Sequence, residues 1–84
     1  MLPYEKEIRR ILAEVLELPD TGRIDAAEDL LSQGLDSLNC MDLIVSLEEA
    51  FDIEVPEEKL GLRHVRSIAE ISQLVSEELR HDKG

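Results

Sequence analysis

Eighty-four residues suffice for one small domain, 1–84, and a chain of this size buries only roughly two-thirds of its unfolded surface, which leaves little room for a deep catalytic pocket. Apolar residues make up 43% of it and Tyr4 and Phe51 are its only aromatics, so it is a folding chain with a core of Leu, Ile and Val, not a disordered one. The net charge of −11 disfavours nucleic acid and anionic membrane surfaces as partners, the single cysteine, Cys40, excludes an internal disulfide and argues against a cysteine-based zinc site, and no stretch reaches the ~20 apolar residues of a membrane span.

Tyr4 to Glu17 opens the chain as a helix. Ile8, Ile11, Leu12, Val15 and Leu16 follow the i, i+3, i+4, i+7 pattern of a helix with one buried face. Pro3 suits its first turn, Glu5 and Glu7 suit the positive end of its dipole, and Pro19 stops it near Leu18. Met1 is followed by Pro3, Glu5 and Lys6 with no apolar run behind them. The expectation is therefore no secretory signal and a reducing cytoplasm.

Residues 18 to 36 carry turn signals in Pro19, Asp20, Thr21, Gly22 and Gly34, a long connection for a compact domain. Ile24, Leu30, Leu31 and Leu35 are expected to pin it to the core, and Asp29 to cap one short turn through Leu30, Leu31 and Ser32.

The second helix opens at Ser37 or Leu38 and runs to about Phe51. Leu43, Leu47 and Phe51 form its inward stripe, with Leu38, Ile44 and Ala50 as flankers. Met41 and Val45 lie on a different face beside Asp42 and Glu49. A helix apolar on two faces is either deeply buried or meets a partner, and so small a domain favours a partner. Pro56, Glu57 and Glu58 start a short third helix that Gly61 ends. Ser67 and Glu70 form an S-x-x-E capping box ahead of Ile68, Ile71, Leu74, Val75 and Leu79. The tail His81-Asp82-Lys83-Gly84 is expected to fray, and Ile53-Glu54-Val55 alternates over too short a span for a sheet. The pattern predicts an all-α fold, a small bundle of three principal helices plus one short helix.

Charge is segregated along this layout. From Ile24 to Glu58 there are eleven acidic residues and no Lys or Arg. Such a run is either a solvated face or an electrostatic target for basic partners. Catalysis finds little support: His64 and His81 have no nucleophile near them in sequence, and Ser37 lacks a base and an orienting acid. Asp25, Glu28, Asp29 and Asp36 cluster without the spacing of a calcium loop, so no dedicated metal site is expected. Cys40 reads as a small buried hydrophobe in a region without bases to activate it.

Ser37 has two readings. It caps the helix, a role Asp36 fills equally well. Or its hydroxyl, beside unpaired N–H groups and the positive end of the dipole, accepts a phosphodiester that another enzyme installs.

Gly34-Leu35-Asp36-Ser37-Leu38 resembles the phosphopantetheine attachment motif of acyl carrier proteins. The likeness continues from Met41 through Phe51 to Asp52-Ile53-Glu54-Val55-Pro56, which is similar to that family's second helix and the loop after it, and helix order, length and acidity agree. The resemblance implies an acyl-carrier-like bundle with no reaction of its own and no catalytic or metal-ligating residue. It implies that Ser37 receives 4′-phosphopantetheine from coenzyme A through a separate Mg²⁺-dependent transferase, with Asp36 helping that enzyme place its metal. Leu38, Met41, Asp42, Val45, Glu48 and Glu49 match positions of the partner-recognition helix, which meets acyl-loading and acyl-processing enzymes through basic docking surfaces. The implied protein is a free-standing cytoplasmic monomer that carries acyl intermediates as thioesters in fatty-acid, lipid or a specialised acyl biosynthesis. An aminoacyl or peptidyl carrier is the alternative within the family, and an acidic helical adaptor without a prosthetic group is the alternative outside it. Asn39 replaces the acid that many fatty-acid carriers have after D-S-L, which implies a weakened partner contact. Cys40 is unusual at its position, and residues 57–64 form a slightly longer stretch than in the commonest members.

Overall fold

The first helix, α1, spans Glu5–Val15 and buries Ile8, Ile11 and Leu12, as the apolar spacing predicts. It starts behind Tyr4, which adopts a left-handed conformation at φ 61°, and Glu5 accepts the Leu2 N–H at 3.1 Å. Its end is a backbone device: Leu18 N–H bonds Ala13 O at 2.9 Å and Glu17 N–H bonds Glu14 O at 3.4 Å, with Glu17 left-handed at φ 54°. That is a Schellman closure with glutamate where glycine is usual. The computed structural model describes residues 2–82, with His81 and Asp82 described by their backbone alone.

Two further α-helices complete the bundle, α2 over Asn39–Phe51 and α3 over Ile68–Asp82. No strand occurs among the described residues. α2 ends like α1: Ile53 N–H bonds Glu48 O at 3.1 Å across Asp52, left-handed at φ 54°. α3 is capped by Ser67, whose hydroxyl accepts the Glu70 N–H at 3.1 Å; Glu70 answers the hydroxyl at 3.5 Å, not the Ser67 backbone, so half of the expected capping box forms. The α3 backbone stays helical through Asp82 where fraying was expected, and Lys83 and Gly84 lie outside the described residues.

One core joins the three helices. Leu43, Ile44 and Leu47 of α2 meet Ile68, Ile71 and Val75 of α3 and the inner face of α1, all at 2% exposure or less. The expected short third helix is instead two 3-10 turns, Glu57–Lys59 and Leu62–His64, separated by Leu60 and Gly61. Neither turn buries a residue fully, so no apolar stripe draws them into an α-helix. One expected core residue, Leu31, faces out at 40% exposure; of the flankers of the inward stripe, Ile44 is buried, Ala50 is exposed, and Leu38, which the resemblance places on the partner face, is 83% exposed. Leu31 points away because the 3-10 turn Leu30–Gln33 turns Leu30 inward instead.

The long first connection is fastened at both ends. Arg9 Nη1 donates to Ile24 O at 2.8 Å and to Thr21 O at 2.5 Å, while the Thr21 hydroxyl donates to Arg9 O at 2.7 Å. Across the molecule Leu30 N–H bonds Arg66 O at 2.6 Å and Ala69 N–H bonds Ala26 O at 3.0 Å. Asp29 accepts Leu31 N–H as the cap of its turn and also pairs with Arg66. Buried Ile24, Leu30 and Leu35 complete the attachment. These ties fix where the chain turns into α2.

Candidate functional site

Gly34 ends the 3-10 turn at φ 107°, a conformation that strains any residue with a Cβ. Leu35 then drops into the core at 2% exposure, with its N–H on Leu30 O at 3.1 Å. The next three residues, Asp36, Ser37 and Leu38, stand exposed on the rim.

Asp36 is the cap. Its Oδ1 accepts the N–H groups of Leu38 at 2.9 Å and Asn39 at 2.8 Å, and its carbonyl accepts Cys40 N–H at 3.0 Å. Asp36 thus caps the turn that leads into α2, and Ser37 and Leu38 form that turn just ahead of Asn39. The two open readings of this corner separate here: Asp36 takes the capping role, and the Ser37 hydroxyl has no hydrogen-bond partner among the described residues. A free, exposed hydroxyl beside the positive end of a helix fits a phosphodiester, and the Ser37 N–H likewise has no partner among the described residues. The other Asp36 oxygen, Oδ2, has no partner there either.

One turn on, the Cys40 thiol donates to Ser37 O at 3.3 Å and is 3% exposed. Burial, and then the charge of Asp36, push this thiol up from its ordinary value, so it stays protonated and inert. No hydrogen bond joins His64 to Ser37 among the described residues; His64 lies near Gln73 and Glu77 in a shallow surface hollow. The early acids, too, hold local partners: Asp25 accepts Ala27 N–H at 2.9 Å, and Glu28 accepts the Gln33 amide at 2.6 Å.

The outer face of α2 is as the two-faced pattern predicts. Met41 and Val45, at 41 and 47% exposure, run along it at helical spacing with exposed Asp42 and Glu49 alongside, and Leu38, 83% exposed in the turn before the helix, extends the strip. Glu48 behaves differently. It is half-buried, and its Oε2 accepts Val55 N–H at 2.8 Å, which ties the following loop back onto α2. Sequence reasoning placed Glu48 on the recognition face and missed this clasp. It also missed Asn39, whose amide folds back into the loop before Ser37 at Asp36 and Gly34. The signal for Asn39 was present as an N-cap aspartate followed three residues later by a side chain able to return the bond.

The family described as "Phosphopantetheine attachment site" matches residues 6–80, and the chain belongs to it. The chain is also similar to acyl carrier protein SF2, chloroplastic, of Brassica campestris and to an acyl carrier protein, chloroplastic, of Brassica napus, each 31% identical over 72 residues that cover 86% of this chain and 52% of the relative. It thus spans about half the length of the curated relatives it matches. Membership carries a covalently attached 4′-phosphopantetheine.

Proposed function

We propose, with that membership as premise, that Ser37 is the attachment residue and that the chain is an acyl carrier. The observation that carries the reading is the unpartnered, exposed Ser37 hydroxyl in the turn that opens into α2, directly after the capping carboxylate of Asp36. Asp36 fixes the direction of the helix start, so the hydroxyl projects from a rigid corner and not from a loose loop. Its free Oδ2 is available to a Mg²⁺ ion brought by the transferase, and the Ser37 N–H faces the place of the incoming phosphate. The arm, when bound, supplies a thiol that holds an acyl group as a thioester. Cys40 does not compete for that acyl group, because its thiol is buried and protonated.

Leu38, Met41 and Val45 supply the apolar contact for partner enzymes, and Asp42 and Glu49 the field that attracts basic surfaces. The names of the Brassica proteins favour acyl cargo over aminoacyl or peptidyl cargo. Fatty-acid, lipid or specialised acyl biosynthesis is the setting proposed, with the cytoplasm as its place. Among the described residues no helix is long and apolar enough to cross a membrane.

Intact mass after incubation with coenzyme A, Mg²⁺ and a phosphopantetheinyl transferase tests the attachment. One added arm on the wild type and none on Ser37→Ala is the expected pair of results. An arm on Ser37→Ala overturns the site. Loading of the modified protein by an acyl ligase against an amino-acid-activating enzyme tests the cargo, and aminoacylation alone overturns the acyl reading.

A further inference from the structure

Asn39 stands two residues after Ser37, where the resemblance implies a weakened partner contact. Its amide is committed inward at both ends. Oδ1 accepts Asp36 N–H at 2.7 Å, and Nδ2 donates to Gly34 O at 2.9 Å. Since Asp36 Oδ1 accepts Asn39 N–H in return at 2.8 Å, the two residues form a reciprocal box around Ser37, closed by the shorter Asn in place of the usual Glu or Gln. The third bond, to Gly34, reaches the left-handed residue where the chain leaves its 3-10 turn. Only a side chain with both an acceptor and a donor makes both inward bonds. A carboxylate at 39 keeps the bond to Asp36 but turns an anionic oxygen toward the Gly34 carbonyl, and it places a second charge beside Asp36.

We propose that Asn39 is a positioning residue for modification of Ser37: its amide locks Gly34, Asp36 and the first turn of α2 into one rigid corner, so that the hydroxyl and the Asp36 carboxylate are presented together. This rests on the reading of Ser37 as the attachment residue. Asn39 touches neither coenzyme A nor the reacting atoms. Its effect falls on the rate at which bound carrier reacts and not on how well carrier binds.

Asn39→Asp separates this role from a docking contact by the sign of its effect. An extra acid on a face that meets a basic enzyme lowers the KM for carrier if residue 39 faces the partner. If residue 39 holds the corner, kcat falls roughly fivefold to tenfold, the range given by losing a cap interaction of about 1 kcal/mol or slightly more, and KM moves little. Asn39→Ala is expected to lower kcat less, and Asn39→Gln, which restores the acceptor for Asp36, to recover part of it. The assay is transfer of the arm from coenzyme A over a range of carrier concentrations, with amide hydrogen exchange at Asp36, Leu38 and Asn39 followed in parallel. Faster exchange at these amides together with a kcat loss in Asn39→Asp supports the lock. Loading of Asn39→Asp with unchanged kcat, or with a lowered KM and unchanged exchange, overturns it while leaving Ser37 in place. A wild type that takes no arm overturns the attachment reading instead, and the exchange data then still show whether the corner is locked. Should circular dichroism show Asn39→Asp unfolded, the kcat values of the Ala and Gln variants decide.

Discussion

Glu48 and Glu49 are neighbours on α2 with the same charge, yet they should fail in opposite ways. Glu48 Oε2 accepts Val55 N–H at 2.8 Å, and Val55 is 5% exposed. Glu49 is exposed and has no partner among the described residues. A hydrogen bond to a charged acceptor contributes about 1.5–3 kcal/mol, and its loss leaves the Val55 donor unpaired. Because Glu48 is only half-buried, water replaces part of that bond, and Glu48→Ala is expected to cost about 1–2 kcal/mol. For a domain of this size that lowers Tm by roughly 5–15 °C. Glu49→Ala should stay within about 0.5 kcal/mol of the wild type. Relief of acid crowding and the gain in helix propensity are common to both variants, so they cancel in the comparison. Glu48→Gln keeps an oxygen for Val55 N–H while removing the charge, and it should recover most of the stability. Thermal unfolding by circular dichroism at fixed salt reads all three. Arm-attachment kinetics add the second half: Glu49→Lys slows attachment strongly at low salt and much less at high salt, because a rim charge acts mainly on encounter. Equal Tm values for Glu48→Ala and Glu49→Ala would refute the assignment of Glu48 to the loop clasp.

Four further outcomes follow from the same geometry. Ser37→Ala should unfold within about 0.5 kcal/mol of the wild type, whereas Asp36→Ala should lose ~1 kcal/mol or more, since Asp36 and not Ser37 is the cap; comparable losses in urea titrations would contradict that division. Glu17→Gly should stabilise by about 1 kcal/mol, because glycine relieves the left-handed strain at φ 54° where α1 closes, and a lower Tm would show that the strain is not there. Lys59 hydrogen-bonds Glu77 and holds its carboxyl below the usual range; a depressed folded value means stability present at neutral pH and lost as pH falls through that value, so Lys59→Met should flatten the wild type's decline in acid, as parallel Tm–pH curves will show. Millimolar Mg²⁺ or Ca²⁺ should raise Tm more than Na⁺ at matched ionic strength, by preferential binding to the folded acidic face, and equal effects would leave general screening alone.

The helices were legible because each carries its pattern locally. Ile8, Ile11 and Leu12, and likewise Leu43 and Leu47, announce an inner face by spacing alone, and exposed Met41 and Val45 announce an outer one. What spacing does not carry is which of several polar groups takes a given N–H. Asp36 and Ser37 were equal candidates for the cap until the turn at Gly34 aimed one carboxylate oxygen at two amides. Leu31 was placed inside because it is apolar and adjacent to Leu30, but a 3-10 turn buries only one of the two. Pro56-Glu57-Glu58 has the composition of a helix start without an apolar stripe behind it, and it stops at a 3-10 turn. Glu17 and Asp52 close their helices from left-handed positions that sequence reasoning reserves for glycine.

The run of acids between Ile24 and Glu58 was ambiguous in sequence between a solvated face and an electrostatic target. The structure divides it. Asp25, Asp29, Asp36 and Glu48 each accept a backbone N–H from a turn or loop, so part of the acidity is the means by which a long connection and a helix start are held without regular structure. Such carboxylates are tethered in place, and their charge is partly answered by the amides they bind. Asp42 and Glu49 have no such partner among the described residues and flank the exposed strip of Leu38, Met41 and Val45. On the proposed reading, attraction of basic partners therefore rests on fewer charges than the net −11 suggests, and the apolar strip carries more of the binding. Val45→Asp tests that weighting. Val45 is 47% exposed, so the variant should stay folded by circular dichroism. Attachment should then be impaired at every salt concentration, because the substitution removes an apolar interaction, which salt does not screen. A folded Val45→Asp that loads normally at high salt would return the docking face to electrostatics.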